Sequence, residues 1–218
     1  MSNSNENQRK VAEFLLRIKA IQLSPEQPFT WASGRKSPIY CDNRRILSHP
    51  LIRTYIRQIA TEAIIERTGK PEAIAGVATG GIALGALIAQ ELGVPFIYVR
   101  AAAKDHGKKQ RIEGDFSGIS SVFVIEDLIS TGKSSLSAVD AIRDEGIEVK
   151  GLLAFFTYGF SDAVDRFAEK ECPFFTLTDY PTMLEVACKS QYITDVQKNE
   201  LDSWSIDPVS WSNKHQSV

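Results

Sequence analysis

The sequence is poor in cysteine, and its few cysteines are badly spaced for cross-links or zinc. The chain has 218 residues and only 3 cysteines, at positions 41, 172 and 188. An odd number of widely separated cysteines without a Cys-x-x-Cys pair fits neither a disulfide framework nor a zinc site. We therefore expect three reduced thiols and a protein stabilised by an ordinary hydrophobic core.

Long apolar runs are also missing. The sequence contains no stretch of about 18 apolar residues, the length that a membrane-spanning helix needs. Its first residues, Met1 to Glu6, are mostly polar and lack the charged-then-apolar layout of a signal peptide. The sequence therefore predicts a soluble, cytoplasmic protein without a membrane partner.

A large net charge of either sign is absent as well. The formal net charge is -2, which argues against nucleic acid as the principal partner. With 43% hydrophobic residues, the chain can bury one good core. We predict one domain with appendages, divided into residues 1–50 (an N-terminal helix and a loop-rich segment), 51–190 (an α/β core) and 191–218 (a C-terminal helix and tail).

The most informative stretch, residues 121–135, carries an acidic pair directly after an apolar run. The run from Val122 to Ile125 does not alternate with polar residues, which is typical of a parallel strand buried on both faces. Glu126 and Asp127 then fall at the carboxyl end of that strand, where open α/β sheets bind ligands. A helical pattern begins just beyond, and a helix N-terminus offers N–H groups and a positive dipole end to an anion.

The turn after the acidic pair suits a phosphate. Hydroxyl groups and backbone amides of residues 129–134 can wrap it, Gly132 permits close approach, and Lys133 adds charge. Two carboxylates beside a bare phosphate would repel it. They fit if they accept hydrogen bonds from sugar hydroxyls, or hold Mg²⁺, while the turn holds the phosphate of the same sugar. The combination predicts a site for a phosphorylated ribose.

A second strand, turn and helix precede this stretch. Residues 73–78 form a predicted strand, followed by Thr79-Gly80-Gly81, a helix over 82–92 and a strand over 94–99. This order predicts a parallel pair with a right-handed crossover. A glycine turn between strand and helix is again a phosphate-binding arrangement. The remaining predicted elements are helices near 6–21, 50–69, 132–145, 162–171 and 180–189 and strands at 149–157 and 174–177.

Residues 100–114 form a polar connection between two predicted strands that is too long for a tight turn. The segment contains five lysines or arginines and one histidine within an overall acidic protein. We interpret it as a lid over an anion that arrives and leaves. The alternative is a solvated run of charge.

Residues 22–50 contain four prolines and predict a loop-rich element with short strands at most. Within it, residues 29–44 interleave aromatic side chains with Arg, Lys, Ser and Asp. This mixture suits a pocket lid that stacks a planar ring and pairs a carboxylate. The alternative is a solvated turn, which favours many of the same residues.

Three of these segments resemble a known family. Residues 124–134, Val-Ile-Glu-Asp-Leu-Ile-Ser-Thr-Gly-Lys-Ser, resemble the ribose-phosphate signature of the type I phosphoribosyltransferases, which use 5-phosphoribosyl 1-diphosphate (PRPP). Residues 33–40 resemble the hood signature of the orotate phosphoribosyltransferases, and residues 100–106 resemble their mobile catalytic loop. The resemblance implies an α/β type I phosphoribosyltransferase fold, with a mostly parallel central sheet flanked by helices and a small N-terminal hood over the base site.

The resemblance also implies an activity. It is the Mg²⁺-dependent transfer of 5-phosphoribosyl from PRPP to orotate, giving orotidine 5'-phosphate and diphosphate in pyrimidine biosynthesis. The implied assembly is a homodimer that shares the loop 100–114 across subunits. PRPP and water would hold most of the Mg²⁺ coordination, without direct ligation by side chains.

The residues that match the family's motifs carry the implied roles. The catalytic residues are Arg100, Lys104, His106 and Asp127. Orotate binding is implied for Lys36, Tyr40 and Ser130. PRPP binding is implied for Thr79, Gly80, Arg100, Lys104, His106, Glu126, Asp127, Leu128, Ile129, Ser130, Thr131, Gly132, Lys133 and Ser134.

The chain departs from the family at two lysine positions, occupied here by Ala32 and Ala101, and carries no arginine within 157–160. Three other functions compete with the implied one. A purine phosphoribosyltransferase would share the PRPP site but not the hood motif, and a PRPP-sensing regulator would bind without turnover. A P-loop nucleotide hydrolase is disfavoured because Asp127 stands where the Walker A motif needs its first glycine.

Overall fold

The structure is a computed structural model that describes residues 2–31, 33–102 and 111–216. Contacts between residues divide the chain into two compact units, one formed by Met1–Ile46 with Thr178–Val218 and the other by Leu47–Leu177. Across the described ranges, every helix is too short or too polar to cross a membrane. The division by function into 1–50, 51–190 and 191–218 stays a prediction.

The helices are α1 (Ser2–Arg17), α2 (Pro50–Thr68), α3 (Gly80–Leu92), α4 (Lys133–Arg143), α5 (Ser161–Glu169), α6 (Tyr180–Lys189), α7 (Asp195–Ile206) and α8 (Pro208–His215), with a 3₁₀ helix at Asn43–Ser48. The strands are β1 (Ile21–Leu23), β2 (Phe29–Thr30), β3 (Lys36–Ser37), β4 (Ile39–Cys41), β5 (Ile74–Val77), β6 (Phe96–Val99), β7 (Ile112–Glu113), β8 (Ser121–Ile129), β9 (Glu148–Thr157) and β10 (Phe174–Asp179).

Among its described residues, the smaller unit contains two short antiparallel ladders and the α-helices α1, α6, α7 and α8. β1 pairs with β4, and β2 pairs with β3 through only two residue pairs, Phe29 with Ser37 and Thr30 with Lys36. Helix α1 packs on α6. The C-terminal part forms two helices, α7 and α8, where the sequence predicted one helix and a tail.

The larger unit is built on a six-stranded sheet with strand order β10-β9-β8-β5-β6-β7. The pairings of β5 with β6, β5 with β8, and β8 with β9 are parallel, and the short β7 is antiparallel to β6. Two of its central strands are largely buried, β5 along its whole length and β8 over its first six residues. The predicted α/β class and the parallel β5-α3-β6 unit are confirmed.

The order of the strands reverses between β5 and β8. The chain passes from β5 to β6 in one direction along the sheet and from β8 to β9 in the other. Right-handed crossovers then put α3 and α4 on opposite faces and open a crevice at the carboxyl ends of β5 and β8. The two turns that the sequence marked as anion sites therefore flank one topological switch point.

Strand β8 is longer than the sequence predicted. It continues to Ile129, because its last residues pair in parallel with β9, including Glu126 with Ala154 and Ile129 with Thr157. This ladder outweighs the low strand propensity of the acidic residues. The prediction that the acidic pair lies at the carboxyl end of the strand is confirmed, since both carboxylates belong to its final four residues.

Helix α3 approaches β8 more closely than a side chain would allow. A Cβ atom on Gly81 would overlap the carbonyl oxygen of Ile125, and one on Gly85 would lie 3.0 Å from the ring of Phe96. Glycine at position 81 lets the first turn of α3 lie against β8 at Ile125, and glycine at position 85 lets the next turn pack on Phe96 at the start of β6. The close approach fixes where the turn between β5 and α3 stands.

Gly81→Ala should therefore destabilise the fold by about 3 kcal/mol or more, since the overlapped atom is rigid backbone. Gly93→Ala, at the other end of the same helix, is the matched control. Gly93 has φ 62 and no atom within 4 Å of a built Cβ, so only the left-handed conformation costs free energy, about 1 kcal/mol. Denaturant unfolding measures both, and equal losses would contradict the close approach.

Candidate functional site

Asp127 lies against the turn that follows β5. A Cβ on Gly80, the first residue of α3, would overlap the Asp127 carboxylate. Thr79 is exposed beside it, and the peptide bond between Ala78 and Thr79 is cis. The structure thus brings together the two segments that the sequence marked separately, residues 79–80 and the acidic pair.

Glu126 is almost fully buried, with 4% of its surface exposed. Its Oε2 atom accepts a hydrogen bond of 2.9 Å from the Ser135 hydroxyl, and its Oε1 atom accepts one of 3.0 Å from the backbone N–H of Asp127. Burial raises the pKa of the Glu126 carboxyl well above its usual range, and the neighbouring charge of Asp127 raises it further. Both oxygens of Glu126 therefore bond to groups of the protein next to Asp127.

The bond between Ser135 and Glu126 spans the turn predicted to hold phosphate. Ser135 is 1% exposed and lies in the first turn of α4, whereas Glu126 lies in β8. This buried contact therefore joins the two elements that residues 130–132 connect. No sequence motif pointed to Ser135, because its partner is nine positions away and only the fold brings them together.

The turn itself ends in a left-handed glycine. Gly132 has φ 76 and is the N-cap of α4, where its carbonyl oxygen accepts from the N–H of Leu136 at 2.9 Å. Lys133 and Ser134 follow in the first helical turn and are exposed. The first N–H groups of a helix have no partner within the helix, so this exposed end can receive an anion.

Not all residues of the predicted phosphate segment lie in the turn. Leu128 and Ile129 belong to β8, and the Ile129 side chain is fully buried. The Ile129 carbonyl accepts hydrogen bonds from the Thr157 hydroxyl and the Tyr158 N–H, both at 3.2 Å. The turn begins at Ser130, one residue later than the sequence predicted, and the roles of Leu128 and Ile129 toward PRPP stay predictions.

The cationic connection, residues 100–114, has a stem in which Arg100 and Arg111 bond to each other at the same edge of the sheet. The N–H of Arg100 donates to the Arg111 carbonyl at 2.9 Å, and Nε of Arg111 donates to the Arg100 carbonyl at 3.0 Å. Nη1 of Arg111 also donates to the carbonyl and hydroxyl of Ser137 in α4, both at 3.0 Å. The chain therefore leaves and returns beside the start of α4. Lys104 and His106 lie outside the described residues.

The Arg100 side chain faces a cavity of about 320 Å³. An ion pair of 3.5 Å joins its Nη1 to the Glu113 carboxylate, and both side chains are partly exposed. The cavity is lined by the ends of β5 and β6 and by α4, with three cationic residues among its walls: Arg100, Arg111 and Lys133. Ala101 lines the same cavity, at one of the positions where the family carries lysine.

The residues predicted to bind orotate through the hood lie in the smaller unit. Lys36 is in β3, and Tyr40 in β4 is 39% exposed and packs on Phe29 with ring centroids 5.7 Å apart. Arg44 grips Asp42 through two bonds of 2.6 and 3.1 Å, so Asp42 is a strong partner for this cation. This contact lowers the pKa of the Asp42 carboxyl. Ala32 lies outside the described residues.

Metal ligands were sought on the described part of the chain, and no group of three or more His, Cys, Asp or Glu side chains is clustered there. The three cysteines are thiols without disulfides. The arrangement at the switch point instead combines the buried Glu126, the Asp127 carboxylate against the Gly80 backbone, the N-terminus of α4 and a cationic stem. Such a site can hold a sugar by its hydroxyls and its phosphate together.

Comparison with known proteins agrees with this chemistry. Residues 42–176 match the family described as the phosphoribosyl transferase domain. The orotate phosphoribosyltransferase of Phocaeicola vulgatus is 52% identical over 200 residues, which cover 92% of this chain and 94% of the relative.

Two solved structures are similar in fold. Orotate phosphoribosyltransferase from Aeropyrum pernix is 28% identical with a TM-score of 0.70, covering 84% of this chain and 99% of that chain. UMP synthase from Leishmania donovani is 26% identical with a TM-score of 0.73, covering 91% of this chain and 42% of that larger chain. The fold and the site together define a type I phosphoribosyltransferase. The relative from Phocaeicola vulgatus, similar over nearly its whole length, shows more: the chain belongs to the orotate phosphoribosyltransferase family.

Replacing Glu126 by Gln should stabilise the protein increasingly as the pH rises. The folded state holds the Glu126 proton more tightly than the unfolded chain, whose glutamate has a pKa near 4.5. Wild-type stability therefore falls with rising pH between that value and the raised pKa. Glutamine cannot ionise and can keep contacts to Ser135 and to the Asp127 N–H.

The gain in melting temperature should be small near about pH 4 and larger near about pH 8. Glu145→Gln, at an exposed position just after α4, is the matched control and should show no such trend. A gain for Glu126→Gln that does not change with pH would contradict the assignment of a buried, proton-holding carboxyl.

Proposed function

We propose that this protein transfers the 5-phosphoribosyl group of PRPP to a ring nitrogen of orotate, releasing diphosphate and forming orotidine 5'-phosphate. The proposal includes dependence on Mg²⁺, a homodimer that shares the loop 100–114, and a cytoplasmic location. One observation carries it most directly. The Asp127 carboxylate lies against Gly80 after β5 and belongs to the end of β8, which leads into the turn 130–132, and this supports a common site for a sugar diol and two phosphate groups.

Asp127 is the carboxylate that we assign to the ribose hydroxyls. Glu126 has both oxygens engaged, by Ser135 and by the Asp127 N–H, and is buried. It acts on the sugar through Asp127, whose backbone it holds in place. Cleavage of the glycosidic C–O bond develops positive charge on the ribose, and a carboxylate fixed beside it stabilises that charge without having to reorient.

The turn 130–132 and the first turn of α4 are assigned to the 5-phosphate. Gly132 and the exposed N-terminal residues Lys133 and Ser134 supply the backbone amides and the positive dipole end that such a group needs. The Ser135–Glu126 bond then has a second effect. It fixes the distance between the phosphate seat and the diol seat, which positions the reacting carbon.

The leaving diphosphate is assigned to the cationic side of the crevice. The backbone of Thr79 and Gly80 would contact the diphosphate. Arg100 would leave its ion pair with Glu113 and neutralise the charge of the diphosphate. Lys104 and His106 belong to the same connection, residues 100–114, and we assign both to the diphosphate. His106 would donate a hydrogen bond or a proton to the diphosphate.

Mg²⁺ prefers oxygen ligands and keeps several waters, so bound to the diphosphate it would supply charge neutralisation of the leaving group. PRPP and water would hold the ion, which fits the chain because both oxygens of Glu126 are engaged and the Asp127 carboxylate lies against Gly80. Orotate is assigned to Lys36, Tyr40 and Ser130. The hood motif, residues 33–40, supports a pyrimidine rather than a purine base.

The test measures turnover with PRPP and each of a panel of free bases. For orotate, turnover is followed as the loss of its absorbance. Orotate should be consumed, and adenine, hypoxanthine and uracil should not.

Asp127→Asn should lower kcat/KM by about 10²-fold or more, because a preorganised charge is removed from the transition state. Asp162→Asn, a surface aspartate on α5, is the control. Binding of PRPP without turnover would instead indicate a regulator.

A shared loop predicts complementation between inactive subunits. Lys104→Ala should lower kcat by about 10²-fold or more, and Asp127→Asn damages the other half of the site. When the two inactive variants are mixed and allowed to exchange subunits, some dimers regain one intact site and activity returns. Mixtures that stay inactive while mass measurements show mixed dimers would rule out sharing of the loop.

A further inference from the structure

The C-terminal helices contact the hood at three separate points. Gln197 in α7 donates through Nε2 to the Glu26 carboxylate at 2.7 Å. Trp204, also in α7, meets the ring of Trp31 edge to face with centroids 6.0 Å apart. Ser212 in α8 accepts, at its hydroxyl, a bond of 2.9 Å from the N–H of Lys36. The contacts follow one another in the same order along both segments.

The hood ladder that receives these contacts is very small. β2 and β3 share two residue pairs, and a hairpin of this size has no independent stability in water. The turn between them is held by two bonds, from the Trp31 N–H to the Arg35 carbonyl at 2.9 Å and from the Gly34 N–H to the Trp31 carbonyl at 2.8 Å. The position of this hairpin must therefore come from what it packs on.

Trp31 connects the C-terminal helices to the neighbouring ladder of β1 and β4. Its indole N–H donates to the Ile39 carbonyl at 3.0 Å, in β4 and next to Tyr40. Its ring is held by Trp204, which is 1% exposed and also packs on Tyr180 with centroids 5.3 Å apart. The Tyr180 hydroxyl donates in turn to the Leu201 carbonyl at 3.0 Å, which joins α6 to α7.

The helices that contact the hood are themselves held by N-terminal caps. The side-chain oxygen of Gln197 accepts from the Thr194 N–H at 2.9 Å, which closes a capping box at the start of α7 while the amide nitrogen reaches Glu26. Asp207 caps α8 by accepting from the Ser210 N–H at 2.9 Å. Ser212 is 2% exposed, so its bond to Lys36 is shielded from water.

We propose that residues 194–212 are the positioning element of the hood, and that Ser212 and Trp204 set the affinity for the base without touching it. The segment had no role assigned from sequence. The structure connects it directly to the Lys36 N–H and, through Trp31 and the Ile39 carbonyl, to the strand that carries Tyr40. The inference rests on the proposed function in one respect, namely that the hood recognises orotate. It makes the C-terminal segment a determinant of base binding and leaves PRPP binding alone.

The test is Ser212→Ala in the full-length enzyme, with Ser203→Ala, at an exposed serine of α7, as the matched control. Loss of one shielded hydrogen bond should raise KM for orotate about three- to tenfold. KM for PRPP and kcat should stay within about twofold. A merely structural role would change all three together, or none.

Two further measurements separate the possible failures. Amide exchange of residues 29–37 should accelerate in Ser212→Ala and not in Ser203→Ala, whatever the enzyme turns over. The circular dichroism spectrum and the melting temperature verify that the variant is folded, because they report on the whole chain and not only on the unit that contains the three tryptophans. Trp204→Phe should have a similar kinetic signature.

Unchanged exchange together with an unchanged KM for orotate would overturn the inference, and so would equal rises of both KM values. If wild-type enzyme fails to consume orotate with PRPP, the proposed function is wrong and the claim about base affinity falls with it. Exchange that is faster in Ser212→Ala would still show, in that case, that the segment holds the hairpin.

Discussion

The structure depends on one buried carboxylate. Glu126 lies inside the carboxyl end of the sheet, where an ionisable group is costly unless its oxygens have partners. Ser135 and the Asp127 N–H supply those partners. Because one partner is in helix α4 and the other is the next residue of the strand, the contact fixes the strand end, the helix start and the turn between them. Asp127 is confined further by the backbone of Gly80, so the reactive edge is assembled by packing.

The parallel core was predictable from sequence because its signals are local. Unalternating apolar runs, glycine turns and helical periods identified β5, α3, β6, β8 and α4 and their order. The end of β8 was not predictable, because the pairing of Glu126 and Leu128 with β9 is a long-range contact that overrides local propensity. Two C-terminal helices were missed in part because polar residues with few apolar positions conceal the second, α8.

The site was predictable in its parts and not in its connections. The acidic pair, the turn and the glycine step each carried a motif, and the fold places them at one switch point. Ser135 and Arg111 carried none, since their bonds join positions that only the tertiary structure brings near. From the sequence, Glu126 and Asp127 were both expected to contact PRPP. Burial separates them, because the oxygens of the buried Glu126 are engaged by Ser135 and the Asp127 N–H, and we therefore assign the sugar contact to Asp127.

The same principle holds in the smaller unit. A hairpin of two residue pairs carries the hood motif, and helices distant in sequence hold it in place. Short segments presenting functional residues gain precision from a supporting layer. In both units a serine hydroxyl shielded from water makes the decisive link, Ser135 to a carboxylate and Ser212 to a backbone amide.

The central claim is that one centre at the ends of β5 and β8 grips a ribose by its diol and its phosphate. A crystal structure of the protein soaked with ribose 5-phosphate tests it most directly. We predict the phosphate in the turn 130–134 and the two hydroxyls within hydrogen-bond distance of Asp127. An empty turn, or the sugar phosphate bound at a different part of the molecule, would contradict the account.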